Sequence, residues 1–345
     1  MAINISGIFR NAAPDQVAPP NFACAFFTRS KVSYFSNLSQ VPAKDAIFDL
    51  GSVTKIMATT SIVMKLVEQG LLDLEVPVSR YLPFSLFDNF SVKDLLLHRS
   101  GLWEWWPLYA AIETSDEILD FISAKEFRYV PNSEWRYSDL GFILLSEVIK
   151  KVGATSLPKL FEELVKVPLG LSNTQFATPT IIEHTIPSSY GDRAEFLMLE
   201  NNLPYPVNIA PSKFTGWRSQ ILKGEINDGN AFHLMGGVSG HAGLFSSLED
   251  LVTFGRQLLA PDHFSNLDTF STSAVDPVQG LGFRRFGEQF EGFGHTGYPG
   301  IAVVVDPVLG KGFAFGSNRL LVQGNPMPTM AFIPPLLELL KTGDI

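Results

Sequence analysis

Strand-forming segments lie at both ends of this chain, and the long stretch between them has mostly helical patterns. Near the start, FACAFFTRSKVSYFSN (22–37) predicts two short strands around a polar turn. Near the end, GFGHTGYPGIAVVVDPVLGKGFAFGSNR (292–319) alternates β-rich runs with turns and predicts a meander. If strands from both ends share one sheet, the middle is an insertion. We therefore predict a discontinuous α/β domain of residues 1–85 and 246–345, a mostly helical, loop-rich domain of residues 86–245, and an active site in the cleft between them.

Helix signals come from capping residues and from apolar periodicity. Segments with these signals begin at Ser52, at Ser91 (ending near Gly101), at Thr114 and at Ser247. Others span residues 138–152, 157–166 and 328–340 approximately. Residues 178–245 are rich in Gly, Pro and Asn with little periodicity, which predicts long ordered loops.

Charge and composition exclude several classes of protein. The net charge of −9 over 345 residues, without a block of like charges, argues against a nucleic-acid partner. No apolar run approaches the roughly 20 residues of a membrane span. Cys24 is the single cysteine, so an internal disulfide is excluded. The N-terminus lacks the apolar core of a signal peptide, so we expect a cytoplasmic protein, or a periplasmic or extracellular one if a signal has been removed.

A serine and a lysine lie three residues apart in an almost uncharged segment, FDLGSVTKIMATT (48–60). Positions three apart face the same side of a helix, so the Lys55 amine can reach the Ser52 hydroxyl. The helix N-terminus would also stabilise negative charge that develops nearby. Apolar surroundings predict a buried lysine, and a buried lysine without a role is rare. The pair therefore predicts a nucleophile and its base, and that base must be neutral to accept a proton.

A second serine–lysine pair shows how little the spacing means alone. Ser156 and Lys159 open the predicted helix LPKLFEELVK, which has Pro158 in its first turn and charges on an exposed face. We interpret Ser156 as a helix N-cap and Lys159 as a solvated side chain.

Four segments in this chain resemble the ordered motifs of one enzyme superfamily. They are GSVTK (51–55), LLLHRSGL (95–102), WRYSD (135–139) and FGHTGYPG (293–300). Their order and spacing are similar to those of the serine β-lactamase and penicillin-binding-protein superfamily, and closest to class C β-lactamases, D,D-carboxypeptidases and related esterases. The resemblance covers residues 45–320. It implies an α/β (α+β) fold of the β-lactamase/transpeptidase type, in which helices flank an antiparallel sheet and a mostly helical domain is inserted.

The resemblance implies a role for each matching residue. Ser52 would be the acylated nucleophile, Lys55 its basic neighbour and Tyr137 the proton shuttle to the leaving group. The backbone N–H groups of Ser52 and Tyr298 would form the oxyanion hole. The segment His295–Thr296–Gly297 would line the substrate-binding site in the place of the family's K-T-G motif. Without the resemblance, Tyr137 would be interpreted as a core aromatic residue.

Two positions depart from the family pattern. Asp139 stands where the family has asparagine, and a carboxylate accepts hydrogen bonds but cannot donate them. Asp139 would therefore contact a substrate amine or Lys55, or favour the N-terminus of its helix. His295 replaces lysine, which would make recognition of a substrate carboxylate pH-dependent. A literal Lys341–Thr342–Gly343 follows a predicted helix rather than lying on a strand, and we interpret it as coincidence.

Aromatic residues and a buried histidine are further candidates. Trp103, Trp105 and Trp106 in GLWEWWPLY (101–109) would wall an acyl or peptide pocket, with packing between domains as the alternative. His98 is interpreted as a structural polar group near a helix end.

The glycine-rich loop INDGNAFHLMGGVSGHAGLFSS (226–247) offers an alternative metal site. Its candidate ligands are Asp228, Asn230, His233 and His241. The other interpretation is a loop whose side chains hydrogen-bond buried backbone. The spacing of the two histidines fits no compact zinc motif, so no metal is predicted.

The leading hypothesis is a serine hydrolase that acts through an acyl-enzyme on an amide or ester, without a cofactor. Candidate activities are D,D-carboxypeptidase, D-amino-acid peptidase, esterase and weak β-lactamase. The substrate would be a small molecule or peptide, with peptidoglycan-derived peptides and β-lactams as candidates. The alternatives are a penicillin-binding sensor that acylates without turnover and a metal-dependent hydrolase that uses the histidine loop.

Overall fold

The structure is a computed structural model that describes residues 7–177, 182–272, 277–286 and 291–343. Its strands in chain order are β1 Gln16–Val17, β2 Phe22–Thr28, β3 Val32–Ser36, β4 Ile47–Asp49, β5 Gln175–Phe176, β6 Leu244–Ser247, β7 Arg284–Phe286, β8 Gly292–Gly297, β9 Ile301–Asp306, β10 Lys311–Ser317 and β11 Asn325–Pro326. Its helices are α1 Ser61–Glu68, α2 Val92–Leu96, α3 Ile118–Ser123, α4 Asp139–Gly153, α5 Leu157–Phe161, α6 Val167–Leu169, α7 Arg193–Glu200, α8 Gly229–His233, α9 Leu248–Leu259, α10 Leu267–Ser271 and α11 Thr329–Thr342.

Strands from the two ends of the chain form one antiparallel sheet, as the sequence predicts. Its order is β3-β2-β10-β9-β8-β7, so the N-terminal hairpin β2–β3 pairs with the C-terminal meander through β2 and β10. Between β4 and β6, the described part of the chain contains α1 to α8 and the short strand β5. This mixed antiparallel α/β architecture confirms the predicted fold class. The division into domains at residues 85 and 245 stays a prediction.

Both faces of the sheet are buried. Along β2, Ala23, Ala25 and Phe27 belong to the larger hydrophobic core, whereas Cys24 and Phe26 face the smaller core against α11. Side chains alternate between the two faces of a strand, so a strand covered on both sides has a continuous apolar sequence. The larger core also receives α1, α4 and α9.

Two predicted features of the middle region differ in the structure. The loop prediction for residues 178–245 is wrong for α7 and α8. The helix α8 has only five residues, too few to show a helical period. In α7, Phe196 and Leu197 are exposed, so its apolar residues do not lie on one face. The helix begun by Ser91 has its predicted capping box but ends at Leu97. None of the helices in the described residues is both long enough and apolar enough to cross a membrane.

The second serine–lysine pair behaves largely as predicted. Ser156 occupies the N-cap position of α5, although its side chain makes no capping hydrogen bond. Lys159 is exposed and lies 3.9 Å from Glu163. The literal Lys341–Thr342 ends α11, so it lies on a helix and not on the sheet.

Candidate active site

The chain reaches Ser52 through a tight turn after β4. Gly51 has a φ of 47°, and the Asp49 carboxylate accepts its N–H at 2.9 Å. The helix then begins with a 3₁₀ turn, Gly51–Val53, and continues as a π-helical segment, Lys55–Thr60, before α1. Such wide helical turns are frequent at functional sites. The result is a serine at the head of a buried helix, with Lys55 Nζ 2.9 Å from Ser52 Oγ.

Lys55 is fully buried and uses all three of its donor positions. Its Nζ donates to Ser52 Oγ, to Asp139 Oδ1 at 2.7 Å and to the His241 carbonyl oxygen at 3.2 Å. Burial lowers the pKa of Lys55, but the negative charge of Asp139 and the interaction with Tyr137 outweigh burial, so the pKa is raised. The resting lysine is therefore an ammonium. The expectation of a neutral lysine is wrong because this chain has a carboxylate where the family has an amide.

Tyr137 lies against the lysine and between two histidines. Lys55 Nζ is 4.9 Å from the centroid of the Tyr137 ring, and the ring centroids of His98 and His295 are 4.5 and 5.8 Å from it. The Tyr137 hydroxyl is buried and interacts with Lys55 and Ser52, but it forms no hydrogen bond of good geometry with either. Burial raises the pKa of Tyr137, and Lys55 opposes this only in part. The phenol is thus protonated at neutral pH and has a proton to donate.

His98 holds the segment that carries Tyr137 and Asp139. It is buried with a φ of 55°, and its Nδ1 accepts the Ser138 N–H at 2.9 Å. Ser138 in turn caps α4 by accepting the Gly141 N–H. Burial, followed by the charge of Lys55, lowers the pKa of His98, so it is a neutral acceptor. These contacts agree with the structural interpretation of His98.

Two glycines bring the end of β8 against the Ser52 turn. A Cβ atom at Gly297 would lie 2.2 Å from the Leu50 carbonyl oxygen. A Cβ atom at Gly51 would lie 2.6 Å from Pro299 Cδ and 3.3 Å from the Tyr298 amide nitrogen. Only glycine permits both approaches. The Tyr298 amide therefore lies beside the serine turn, where the predicted oxyanion hole requires it.

His295 is buried and neutral. It is 2% exposed, its Nδ1 donates to the Thr296 carbonyl oxygen at 2.7 Å, and its Nε2 has no partner. Burial, followed by the charge of Lys55, lowers the pKa of His295 to about 3. The expectation that His295 makes recognition of a carboxylate pH-dependent is wrong near neutral pH, because this strand position is enclosed and already faces an ammonium. A substrate-binding role for His295 and Thr296 stays a prediction.

Ser52 and Tyr137 line two cavities, which we call the arginine cavity and the acidic cavity. The arginine cavity has a volume of about 670 Å³ and includes Arg284 and the β8 segment His295–Thr296–Gly297. The acidic cavity has a volume of about 510 Å³ and includes the carboxylates of Glu104, Asp139, Glu195 and Asp228.

The tryptophans of the 101–109 loop have different surroundings in the structure. Trp105 is 7% exposed and lines the acidic cavity. Trp103 lines neither cavity: its indole N–H donates to the Glu126 carbonyl oxygen, and its ring packs edge-on against Trp106. The pocket prediction is therefore supported by position for Trp105, while Trp103 serves packing.

The polar side chains of the histidine loop are hydrogen-bonded within the protein. Asp228 accepts the Ala231 N–H at the start of α8 and contacts His241 Nε2 at 3.0 Å. His233 Nε2 contacts Asp192 at 2.9 Å, and Asn230 accepts the Leu108 N–H at 2.8 Å. Across the described ranges, no three His, Cys, Asp or Glu side chains are grouped so that they could hold a metal ion. The geometry favours the interpretation of a hydrogen-bonded loop.

Sequence reasoning missed three residues of the site. Asp49 supports the serine turn and also accepts the Asn227 N–H at 2.6 Å, and burial raises its pKa to about 6. Arg284 lies on β7 and reaches the site because it pairs with Gly294 of β8. Glu195 lies on α7 in the segment predicted to be loop. Asp49 is only three residues before Ser52, but its contacts with Gly51 and Asn227 are visible only in the structure. Arg284 and Glu195 belong to no contiguous motif, and strand pairing and chain folding bring them to Ser52.

The model of the β-lactamase family matches residues 20–327. The chain belongs to the β-lactamase family. It is a serine hydrolase of the β-lactamase-like type.

Relatives of this β-lactamase-family hydrolase carry peptidase and amidase names. An N-acetylmuramyl-L-alanine amidase of Bacillus subtilis is 28% identical over 334 residues, covering 86% of this chain and 74% of the relative. A protein of Escherichia coli named as a candidate D-alanyl-D-alanine carboxypeptidase is 29% identical over 323 residues, covering 82% and 72%. The fold matches a D-stereospecific amidohydrolase from Streptomyces with a TM-score of 0.67 at 20% identity, covering 95% of each chain.

Proposed function

We propose that this β-lactamase-family hydrolase is a serine carboxypeptidase that removes the last residue of a peptide with a free C-terminal carboxylate. D-Alanyl-D-alanine termini are the candidate substrates. The observation that carries the proposal is Arg284, a cation in the arginine cavity that has no anionic partner among the described residues. The E. coli relative with the carboxypeptidase name adds support for this class of substrate.

Arg284 has the properties of a carboxylate receptor. It is partly buried, it shares the arginine cavity with Ser52 and Thr296, and no carboxylate in the described residues forms an ion pair with it. Burial lowers the pKa of Arg284, as expected for a guanidinium without a counter-ion. Its neighbour Arg285 lies 3.9 Å from Glu291 instead. Because His295 is neutral, Arg284 would supply the cation, and a guanidinium binds a carboxylate through two parallel hydrogen bonds.

Acylation would begin with attack of Ser52 Oγ on the carbonyl carbon of the last peptide bond. Lys55 is already protonated, so it would take the Ser52 proton as it passes one of its own to Asp139, 2.7 Å away. The Ser52 O–H bond and one Lys55 N–H bond break, while a new N–H bond forms on Lys55 and a new O–H bond forms on Asp139. Ser52 Oγ forms the new bond to the carbonyl carbon, and the electron pair of the carbonyl π bond moves to its oxygen. The backbone N–H groups of Ser52 and Tyr298 would stabilise the oxyanion.

Expulsion of the leaving amino acid would reverse this flow of protons. The protonated Tyr137 would donate its proton to the leaving nitrogen as the C–N bond breaks. Tyr137 would then regain a proton from Lys55, and Lys55 would regain one from Asp139. Water would later release the acyl group from Ser52 through the same groups used in the opposite direction.

The test compares an acyl-D-alanyl-D-alanine peptide with its C-terminal amide, which has no carboxylate. We expect the wild-type protein to prefer the free acid. Arg284→Gln should lower kcat/KM for the acid roughly 30- to 150-fold, since a charged hydrogen-bonded pair is worth about 2–3 kcal/mol. Its effect on the amide should be small.

Arg285→Gln is the matched control, because Arg285 follows on the same strand and lines neither cavity. It should leave both rates near the wild-type values. Equal turnover of acid and amide, or an Arg284 variant that keeps the preference for the acid, would refute the proposal. A long-lived acyl-enzyme that releases one D-alanine per chain and then does not turn over would favour the sensor alternative instead.

A further inference from the structure

The acidic cavity opens beside Ser52 and differs from the arginine cavity in most of its lining residues. It shares Ser52 and Tyr137 with the arginine cavity but contains neither Arg284 nor His295. If Arg284 holds the carboxylate of the leaving residue, the acyl part of the substrate extends into the acidic cavity. The following inference rests on that proposed function.

Three of the four carboxylates in the acidic cavity have cationic or histidine partners. Glu104 pairs with Arg128 and lies 3.6 Å from Arg136. Asp139 pairs with Lys55, and Asp228 with His241.

Glu195 is different from the other three. Its Oε1 accepts the Gly229 N–H at 2.6 Å, but its Oε2 is buried without any hydrogen-bond partner. The neighbouring Tyr109 hydroxyl is also buried and interacts with the Glu195 carboxyl group, but the two do not form a hydrogen bond of good geometry. An acceptor enclosed without a donor is rare in proteins, and a bound ligand that donates is one explanation.

The electrostatic surroundings of Glu195 favour the binding of a cation. Burial, followed by the charge of Asp228, raises the pKa of Glu195 to about 8. The carboxyl group therefore holds its proton at neutral pH because no positive group compensates its charge. A cation that enters would reverse this balance and make Glu195 ionise.

Aromatic walls add a second feature that favours a cation. Trp105 and Trp135 both line the acidic cavity, and the faces of indole rings attract ammonium groups. The buried indole N–H of Trp135 has no acceptor, so it can donate to a carbonyl oxygen of the same ligand.

We propose that the acidic cavity binds a primary ammonium group on the acyl part of the substrate, with Glu195 as its counter-ion. The preferred substrates are then peptides that carry a free amine on the acyl side of the bond that Ser52 attacks and a free carboxylate at the C-terminus. The ammonium donates to Glu195 Oε2 and lies against the tryptophan rings.

The test uses two peptides that differ in one charge, L-lysyl-D-alanyl-D-alanine with both amines acetylated and the same peptide with the side-chain amine free. The free amine should raise kcat/KM roughly 10- to 100-fold, chiefly through a lower KM. Glu195→Gln should bring this ratio close to one. Glu200→Gln, at the exposed end of the same helix, is the matched control and should keep the ratio.

The two proposals fail in different ways. Hydrolysis of both peptides at the same rate by the wild type, or an unchanged ratio in Glu195→Gln, would overturn the ammonium site and leave the carboxypeptidase intact. If neither peptide is hydrolysed, the carboxypeptidase proposal fails, and calorimetry with n-butylammonium and the Ser52→Ala variant decides the role of the cavity. Binding with release of a proton at pH 7 would support the ammonium site, and absence of binding would overturn it.

Discussion

Replacing Asp139 with asparagine tests how this site holds a buried charge. Asp139→Asn keeps the shape of the side chain and removes the counter-ion of Lys55, which is 0% exposed. At 2.7 Å the attraction between the two charges is roughly 6 kcal/mol at an effective dielectric constant of 20. Removing one member of a buried pair usually costs about 3–5 kcal/mol. The Asp139 side chain is 19% exposed, so we expect a loss near the lower end, about 3 kcal/mol at pH 7.

The loss should depend on pH in a defined direction. In the wild type the pKa of Lys55 is raised, so its stabilising contribution is complete below the unfolded-state pKa of about 10.4 and disappears only above it. In the variant, burial is opposed only by the remaining interaction with Tyr137, so we expect the pKa of Lys55 to fall below that of the unfolded chain. The variant then becomes more stable as pH rises toward 10, so the difference between the two proteins narrows.

Urea unfolding at pH 7 and at pH 9.5 measures both effects, with Glu147→Gln as the control. Glu147 forms an exposed ion pair with Lys150 on the same helix, and its loss should cost less than about 0.5 kcal/mol at either pH. A variant as stable as the wild type at pH 7, or a difference that widens with pH, would refute the account of Lys55 as an ammonium held by Asp139.

Three further predictions follow from the same contacts. Tyr137→Phe should lower kcat about 10²–10⁴-fold in a steady-state assay, because the proton donor is lost. The thermal midpoint in a melting curve should not fall, because the lost hydroxyl forms no hydrogen bond of good geometry. Gly51→Ala should reduce kcat at least about 10²-fold by moving the turn off Tyr298, whereas Gly70→Ala, which also has a positive φ but an open surrounding, should change only stability. Cys24 is fully buried and burial raises its pKa to about 12, so the native protein should not react with a thiol reagent at pH 8; rapid labelling would contradict the core packing.

The parts of the fold that were predictable are those with a strong local signal. The hairpin β2–β3, the meander β8–β10 and the capped starts of α2 and α9 follow from alternation, turn residues and side-chain caps. The shared sheet was predictable because strands at both ends need partners. The short helix α8 carries too few residues for a period, so its identity depends on tertiary contacts.

The site divides in the same way. Ser52 and Lys55 were recoverable from the sequence because helical spacing brings them together, and Tyr137 and the β8 motif were recoverable through their resemblance to the motifs of the family. Their charge states were not, since the pKa values of Lys55 and His295 depend on burial and on neighbours distant in sequence. Arg284 was not recoverable for a related reason: its place beside β8 depends on strand pairing and not on a motif.

The central claim, that Ser52 is the acylated nucleophile of this hydrolase, is tested most directly by intact-protein mass spectrometry. The protein is exposed to a fluorescent penicillin and, separately, to a p-nitrophenyl acyl ester, with Ser52→Ala and Ser156→Ala alongside. We predict an adduct of one acyl group per chain, mapped to Ser52, that is absent from Ser52→Ala and unchanged in Ser156→Ala. An adduct that persists in Ser52→Ala, or ester hydrolysis at the wild-type rate by that variant, would contradict the claim.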